Sequence, residues 1–354
     1  MSKTLVFKVD PENPEAKIIR EAARIIRNGG LVAFPTETVY GLGADALNAA
    51  AVLALFKAKR RPLDNPPIVH VGKSEDVYKL AREVPAKAEI LMKTFWPGPL
   101  TLVFKRSNIV PGVTVAGLDT IAVRMPKHNV ALALIRESNC PIAAPSANLA
   151  GRPSPTTAEH VLEDLDGRID VVLDAGPTRI GVESTVLDMT VDPPQILRPG
   201  GTSREALEAV LGKVVLHPVA VAEKKLPIER ARSPGMKHRH YAPKAKLIVV
   251  EGELSATVKK VMELVSRFKG QNMKVGVLAT DETASLYKAD VVKSLGSRNR
   301  LDVIAKSLFR LLREFDVEGV DIIIAEGVPT EDLGLAIMNR LRKASGYRIV
   351  KANI

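Results

Sequence analysis

Lys57-Ala58-Lys59-Arg60-Arg61-Pro62-Leu63-Asp64-Asn65-Pro66-Pro67-Ile68-Val69-His70-Val71 runs from a helix end, through a proline-bounded turn, into a short apolar strand. Helix, turn and strand in fifteen residues is the grammar of an α/β fold. Four cations in five residues at a helix end either solvate a surface or grip a polyanion. A solvated end needs no particular neighbours. This one lies between the glycine-spaced Pro35-Thr36-Glu37-Thr38-Val39-Tyr40-Gly41-Leu42-Gly43 and a strand that reads as buried. The placement points to a phosphate grip.

Outward from that stretch the alternation continues. Helical spacing over 14–29 (Ile18, Ile19, Ala22, Ile25, Ile26) stops at Gly29-Gly30, and strand 31–34 follows. Further helices are expected over 47–58, 85–95, 129–138, 156–166 and 202–211. Strands are expected over 67–71, 100–105, 120–124, 141–144, 171–174, 184–188 and 195–198. Many short strands among helices indicate a twisted mixed sheet. The pattern lapses over 213–244, where Pro, Gly and charge dominate as in a connecting segment. Beyond it, strands over 246–251, 274–279, 289–294 and 320–325 alternate with helices over 255–269, 301–315 and 332–345. That is the rhythm of a parallel, doubly wound domain.

A chain of 354 residues exceeds one ordinary core, which suits domains at 1–212 and 245–354 with a linker between them. No apolar run approaches the ~20 residues of a membrane helix, and the N-terminus has no signal-peptide h-region. The single cysteine, Cys140, excludes an internal disulfide framework and a multi-cysteine metal site. These features lead to the expectation of a cytoplasmic protein with no membrane partner. The net charge of +11 is uneven: residues 1–200 hold 24 basic against 22 acidic groups, and residues 201–250 hold 10 against 4. A uniformly basic nucleic-acid surface is thereby disfavoured; a local anion site or a basic connector fits better.

The chain carries no Walker A loop, no G-x-G-x-x-G after a strand, no H-E-x-x-H and no G-x-S-x-G. His238 and His240 lack a nearby cysteine or carboxylate, so no protein-caged metal is expected. Ser, Thr, Asn, Arg and Gly instead gather at strand ends: Thr36-Glu37-Thr38, Ser146-Ala147-Asn148 with Gly151-Arg152-Pro153-Ser154, Gly181-Val182-Glu183-Ser184-Thr185, and Leu197-Arg198-Pro199-Gly200-Gly201. Each alone is more often just a turn. Arg124, ending the apolar run Thr120-Ile121-Ala122-Val123, needs an anion. The choices are a ligand or a structural partner such as Asp119 or Glu183.

Together these segments resemble the threonylcarbamoyl-adenylate synthase family, whose catalytic unit is the YrdC-like domain. The family's K-x-R and S-x-N elements stand as Lys59-Arg60-Arg61 and Ser146-Ala147-Asn148. Its other signatures stand as 35–42, 181–186 and 197–200. Ser233-Pro234-Gly235-Met236-Lys237-His238-Arg239-His240-Tyr241-Ala242-Pro243 and 334–341 resemble the longer, two-domain form. Arg60 stands where the pattern has a small residue, usually glycine, and Pro67 where it has leucine. The resemblance implies a YrdC-like twisted mixed sheet with helices, and a smaller Rossmann-like C-terminal domain.

It further implies a nucleotidyltransferase that makes L-threonylcarbamoyl-AMP and pyrophosphate from L-threonine, bicarbonate and ATP. The product serves threonylcarbamoyladenosine formation at the tRNA adenosine beside the anticodon. By the resemblance, Lys57, Lys59 and Arg61 are catalytic and neutralise the triphosphate, with Mg²⁺ carried in by ATP. Arg61, Asn65, Thr120, Ser146, Asn148, Ser154, Arg198 and Tyr241 would contact ATP. Thr38, His70, Arg124, Ala144 (through its backbone) and Ser184 would hold threonine. The linker would cover the site, excluding water from a labile anhydride. A tRNA-modifying threonylcarbamoyl transferase complex is the expected downstream partner; direct tRNA binding is left open. Two alternatives stand beside this reading: a structured-RNA-binding protein, and a carbamoyl or adenylyl transferase with another acceptor.

Overall fold

The computed structural model describes residues 3–226 and 240–352. They fall into two compact units: residues 3–150 with 154–220, and residues 151–153 with 221–226 and 240–352. Within the expected linker, residues 227–239, including Ser233 to Arg239, lie outside the described residues.

The first unit begins β1 (Leu5–Lys8), α1 (Ala16–Arg27), β2 (Val32–Phe34), β3 (Gly41–Asp45), α2 (Ala49–Lys59) and β4 (Val69–His70). It continues α3 (Val77–Leu80), α4 (Ala86–Phe95), β5 (Leu100–Lys105), β6 (Thr120–Arg124), α5 (Asn129–Ser138) and β7 (Ile142–Ala143). It ends α6 (Ala158–Leu165), β8 (Val171–Asp174), β9 (Thr185–Asp188), β10 (Gln195–Arg198), α7 (Arg204–Leu211), β11 (Val215–Leu216) and α8 (Pro218–Val221). Eleven strands form one mixed sheet in the order β1-β8-β2-β3-β7-β4-β6-β5-β9-β10-β11.

The two faces of this sheet are covered unequally. One face is apolar across its width: Ala33, Leu42, Val69, Leu102, Val123, Val172, Leu187 and Ile196 pack under residues of α2, α4, α6 and α7. On the other face, α1 and α5 cover only one half, packing on Val32, Phe34, Ile142, Val171 and Leu173. Strand residues alternate faces, so β4, β6 and β5 present His70, Thr120, Arg124 and Thr101 on the half that those two helices leave. A helix-covered sheet keeps such positions apolar; here they are polar and buried. This polar half-face positions the site.

Local sequence explains the element ends. The side chain of Asn48 caps α2 by accepting from Ala50 N and Ala51 N at 3.0 and 3.2 Å. The helix stops at Arg60, which adopts φ 51° while the Arg61 amide reaches back to the Phe56 carbonyl. A left-handed cap normally takes glycine, which accounts physically for the usual small residue at this position. Arg60 keeps the turn at a backbone cost.

Several elements differ from the sequence expectation. Leu5–Lys8 and Gly41–Asp45 are strands although neither was expected. The first is a mostly exposed edge without apolar alternation. The second is glycine-spaced because a Cβ at Gly43 would meet Ile142 and Phe34 side chains at 2.9 Å. Residues 213–220, read as the start of the linker, include β11, whose Val215 and Leu216 pair in parallel with Gln195 and Ile196.

The second unit contains β12 (Lys246–Gly252), α9 (Leu254–Lys269), β13 (Val275–Ala279), β14 (Val291–Ser294), α10 (Leu301–Glu318), β15 (Ile322–Glu326), α11 (Leu333–Ala344) and β16 (Ile349–Ala352). Its five strands are all parallel, in the order β14-β13-β15-β12-β16. Helix α9 packs Val261, Leu264 and Val265 against Val275, Val277 and Ile324. On the opposite face α10 approaches so closely that a Cβ at Gly276 would lie 2.7 Å from the Phe315 ring. Helices on both faces of a parallel sheet are the expected doubly wound arrangement; β16 extends it beyond the expected elements.

Candidate active site

Folding brings the two cationic and polar elements together at the end of α2. Lys59 is wholly buried, and its Nζ donates to the carbonyls of Ser146 and Asn148. Burial, and then the charge of Arg61, push its pKa well below the ordinary lysine value, with Asp164 opposing. Lys59 thus braces the Ser146–Asn148 loop instead of standing in solvent. Arg61 grips the turn after α2, Nε donating to the Asn65 carbonyl at 2.8 Å and Nη2 to the Pro66 carbonyl at 3.1 Å. Lys57 is exposed. The Ser146 hydroxyl donates to Asn148 Oδ1 at 2.5 Å, and Asn148 Nδ2 donates to the Leu149 carbonyl. Asn65 Oδ1 is buried without a hydrogen-bond partner.

The polar half-face carries the second cluster. Arg124 lies opposite His70 in register across β4 and β6, so both side chains leave the same face. The guanidinium is fixed on three sides: Nε donates to the Gly98 carbonyl at 3.1 Å, Nη1 to Thr38 Oγ1 at 3.1 Å, and Nη2 lies 2.6 Å from Glu37 Oε2. The structural partner is therefore Glu37, correcting the sequence choice of Asp119 or Glu183. Asp119 stands at the far end of β6 and pairs with Lys105, while Glu183 accepts from the Ser154 hydroxyl at 2.6 Å. Thr38 also shares a 2.8 Å hydrogen bond with Thr36.

His70 sits edge-on to Phe34 with ring centroids 6.3 Å apart, and its Nδ1 has no partner. Burial, reinforced by the positive charge of Arg124, pushes its pKa down to about 3. The ring is neutral at neutral pH, so its nitrogens offer one donor and one acceptor. The Ala144 amide is spent on the Ile68 carbonyl, which leaves its carbonyl as the group to offer a ligand.

Arg198 reaches this face through an irregularity. Strands β9 and β10 pair antiparallel, with a slip of register between Ile196 and Arg198. Without the slip Arg198 would share the helix-covered face of Ile196; the bulge turns it over. Its Nη2 then donates to the Ser184 carbonyl at 2.9 Å and the Ser184 hydroxyl at 3.2 Å. Ser184 Oγ in turn shares a 2.8 Å bond with Thr101. Thr120, at the start of β6, is buried on the same strand face as Arg124.

The first unit therefore holds twelve of the thirteen expected nucleotide and threonine residues. Tyr241, expected at ATP, belongs to the second unit. There its ring stacks on Phe309 at 5.3 Å and lies under the Arg340 guanidinium at 5.5 Å. Sequence reasoning quoted Glu37 but gave it no role. Nothing in its spacing reveals a partner 87 positions away. Among the described residues no group of three or more His, Cys, Asp or Glu side chains is arranged to hold a metal ion.

Two family models account for the chain. The Sua5/YciO/YrdC model, described as "Telomere recombination", matches residues 24–200. A second, described as "Threonylcarbamoyl-AMP synthase, C-terminal domain", matches residues 202–346. The threonylcarbamoyl-AMP synthase of Pyrococcus abyssi is 53% identical over 348 residues, covering 98% of this chain and 99% of that protein. This chain belongs to the threonylcarbamoyl-AMP synthase family. It is an enzyme of the two-domain form. The Bacillus subtilis member is 51% identical over 335 residues, 94% of each chain. The crystal structure of P. abyssi Sua5 complexed with L-threonine matches with a TM-score of 0.93 and 53% identity, over 99% of this chain and 100% of that one.

Proposed function

We propose that this chain converts L-threonine, bicarbonate and ATP into L-threonylcarbamoyl-AMP and pyrophosphate. The observation that carries the reading is the buried cluster of Arg124, Glu37, Thr38 and His70 on one sheet face, where polar atoms lack protein partners. Such orphans are costly unless a ligand completes them. The L-threonine in the crystal structure of the P. abyssi relative supports an amino acid as that ligand.

The chemistry is a problem of charge and alignment. The threonine amine and bicarbonate condense to a carbamate with loss of water, and a carbamate oxygen attacks the α-phosphorus of ATP as pyrophosphate leaves. Two anions must meet while the leaving group gains charge, so positioned cations and donors serve better than a covalent nucleophile. Arg124, held flat by Gly98, Thr38 and Glu37, takes the substrate carboxylate. His70, neutral, and the Ala144 carbonyl line the same pocket, with Ser184 fixed by Thr101 and Arg198. Arg61 and Lys57 face the triphosphate. Lys59 acts by fixing the loop that presents Ser146 and Asn148. Asn65, Thr120, Ser154 and Arg198 complete the nucleotide contacts; Tyr241 is assigned to ATP by the family pattern alone. Mg²⁺ would arrive on the phosphates and neutralise them; among the described residues no carboxylate cluster is arranged to hold it.

The mixed anhydride produced is an activated carbamoyl donor. Its use at the tRNA adenosine beside the anticodon, through a threonylcarbamoyl transferase complex, is the place we assign to it.

Pyrophosphate release tests the reading. Wild type should release it only when threonine and bicarbonate are both present with ATP and Mg²⁺, and Arg124→Ala should lose the response to threonine. Release that ignores the amino acid would refute the proposal, as would an unchanged threonine response in Arg124→Ala.

A further inference from the structure

We infer that Glu37 receives the α-ammonium of the amino-acid substrate, so that Glu37 and Arg124 together read both charges of the zwitterion. The inference rests on the proposed function and adds a specificity-determining residue to it.

Glu37 lies between Thr36 and Thr38 on the segment that reaches Arg124, and its side chain is 3% exposed. Its Oε2 is 2.6 Å from Arg124 Nη2, yet neither carboxylate oxygen accepts an aligned hydrogen bond, and Nη2 makes none either. A purely structural buried carboxylate looks different in this protein. Glu326, also fully buried, is taken up by the Thr280 amide and by the hydroxyls of Thr280, Thr283 and Tyr287. Glu251 accepts from Arg342 through both oxygens and from Lys351.

An ion pair that only held Arg124 in place would account for Oε2 and leave Oε1 stranded. Buried acceptors without donors are expensive, so the carboxylate is built to meet a donor that the chain does not supply. An α-amino acid brings one: its ammonium and carboxylate are two bonds apart, matching a carboxylate and a guanidinium in direct contact with the signs reversed. Arg124 cannot turn away, because Gly98 and Thr38 fix its plane. Threonine docking against Arg124 therefore sets its nitrogen beside Glu37.

Binding of threonine and of 3-hydroxybutyrate, which keeps the carboxylate and hydroxyl but lacks the ammonium, tests this by calorimetry on the full chain. Glu37→Gln should weaken threonine binding by roughly ten- to a hundredfold, the worth of a charge-assisted contact. It should leave 3-hydroxybutyrate within about threefold. Glu37→Asp, which keeps the charge, should recover part of the loss; its folding is checked by the melting transition seen through Trp96. Equal weakening of both ligands would overturn the inference, reducing Glu37 to a support for Arg124; so would an unchanged ratio. Failure of wild type to bind threonine would instead sink the functional reading itself.

Discussion

Exchanging Arg124 for methionine should destabilise the first unit by about 3–5 kcal/mol, the usual cost of breaking a buried ion pair. The structure shows why the figure is large. Arg124 gives up contacts to Gly98, Thr38 and Glu37, and a carboxylate already short of donors is left alone in the interior. Glu37→Gln, the reverse cut, leaves a buried guanidinium without its counter-ion and should cost about 2–4 kcal/mol. The double variant removes both charges, so its cost should fall below the sum by a coupling energy of about 2–3 kcal/mol. Trp96, the chain's one tryptophan, is buried at the end of α4 in the same unit. Urea unfolding followed by its fluorescence therefore reports on the relevant half of the molecule. Additivity within about 0.5 kcal/mol would mean that the two side chains do not sense each other, and the argument for a charged reading pair would fall.

Three further outcomes follow from the same geometry. Lys59→Met should cost about 2–4 kcal/mol, because two buried carbonyls lose their donor, and should raise the dissociation constant for ATP by loosening the Ser146–Asn148 loop; fluorescence unfolding and nucleotide titration check both. Arg60→Gly should be neutral or stabilising by up to about 1 kcal/mol, and Arg60→Val destabilising by about 1–2 kcal/mol, since φ 51° suits glycine and strains a β-branched residue. His70 is held near a pKa of about 3 against an ordinary 6.5. The unfolded chain thus binds a proton below pH 6.5 that the folded one refuses, and stability is lost as pH falls. The loss should reach about 2 kcal/mol at pH 5, and His70→Gln should flatten that part of the profile.

The sequence carried the fold where burial was one-sided and left it hidden where burial depended on a partner. Thr120–Arg124 was legible with its observed bounds because Ile121 and Val123 alternate with positions on a polar face. Gln195–Arg198 was equally legible as a strand, yet the slip that turns Arg198 over belongs to its pairing with β9 and leaves no mark on four residues. Gly41–Asp45 gave no strand signal because close packing against Phe34 and Ile142 demands glycine at Gly43, the residue that otherwise signals turns. At the site, the cationic run announced a functional element, but charge alone did not separate exposed Lys57 from Lys59. The carbonyls that Lys59 serves lie 87 and 89 positions away. Arg61, whose partners are four and five residues on, lay within reach of local reasoning.

The most direct test of the central claim is the mass of the product. The full chain is incubated with ATP, Mg²⁺, threonine and carbon-13-labelled bicarbonate, and the nucleotide fraction is examined by mass spectrometry. The account predicts a species joining AMP to threonine through one carbonyl, with the label in that carbonyl and pyrophosphate formed in equal amount. Recovery of ADP and phosphate, or of an AMP adduct without the labelled carbon, would contradict it.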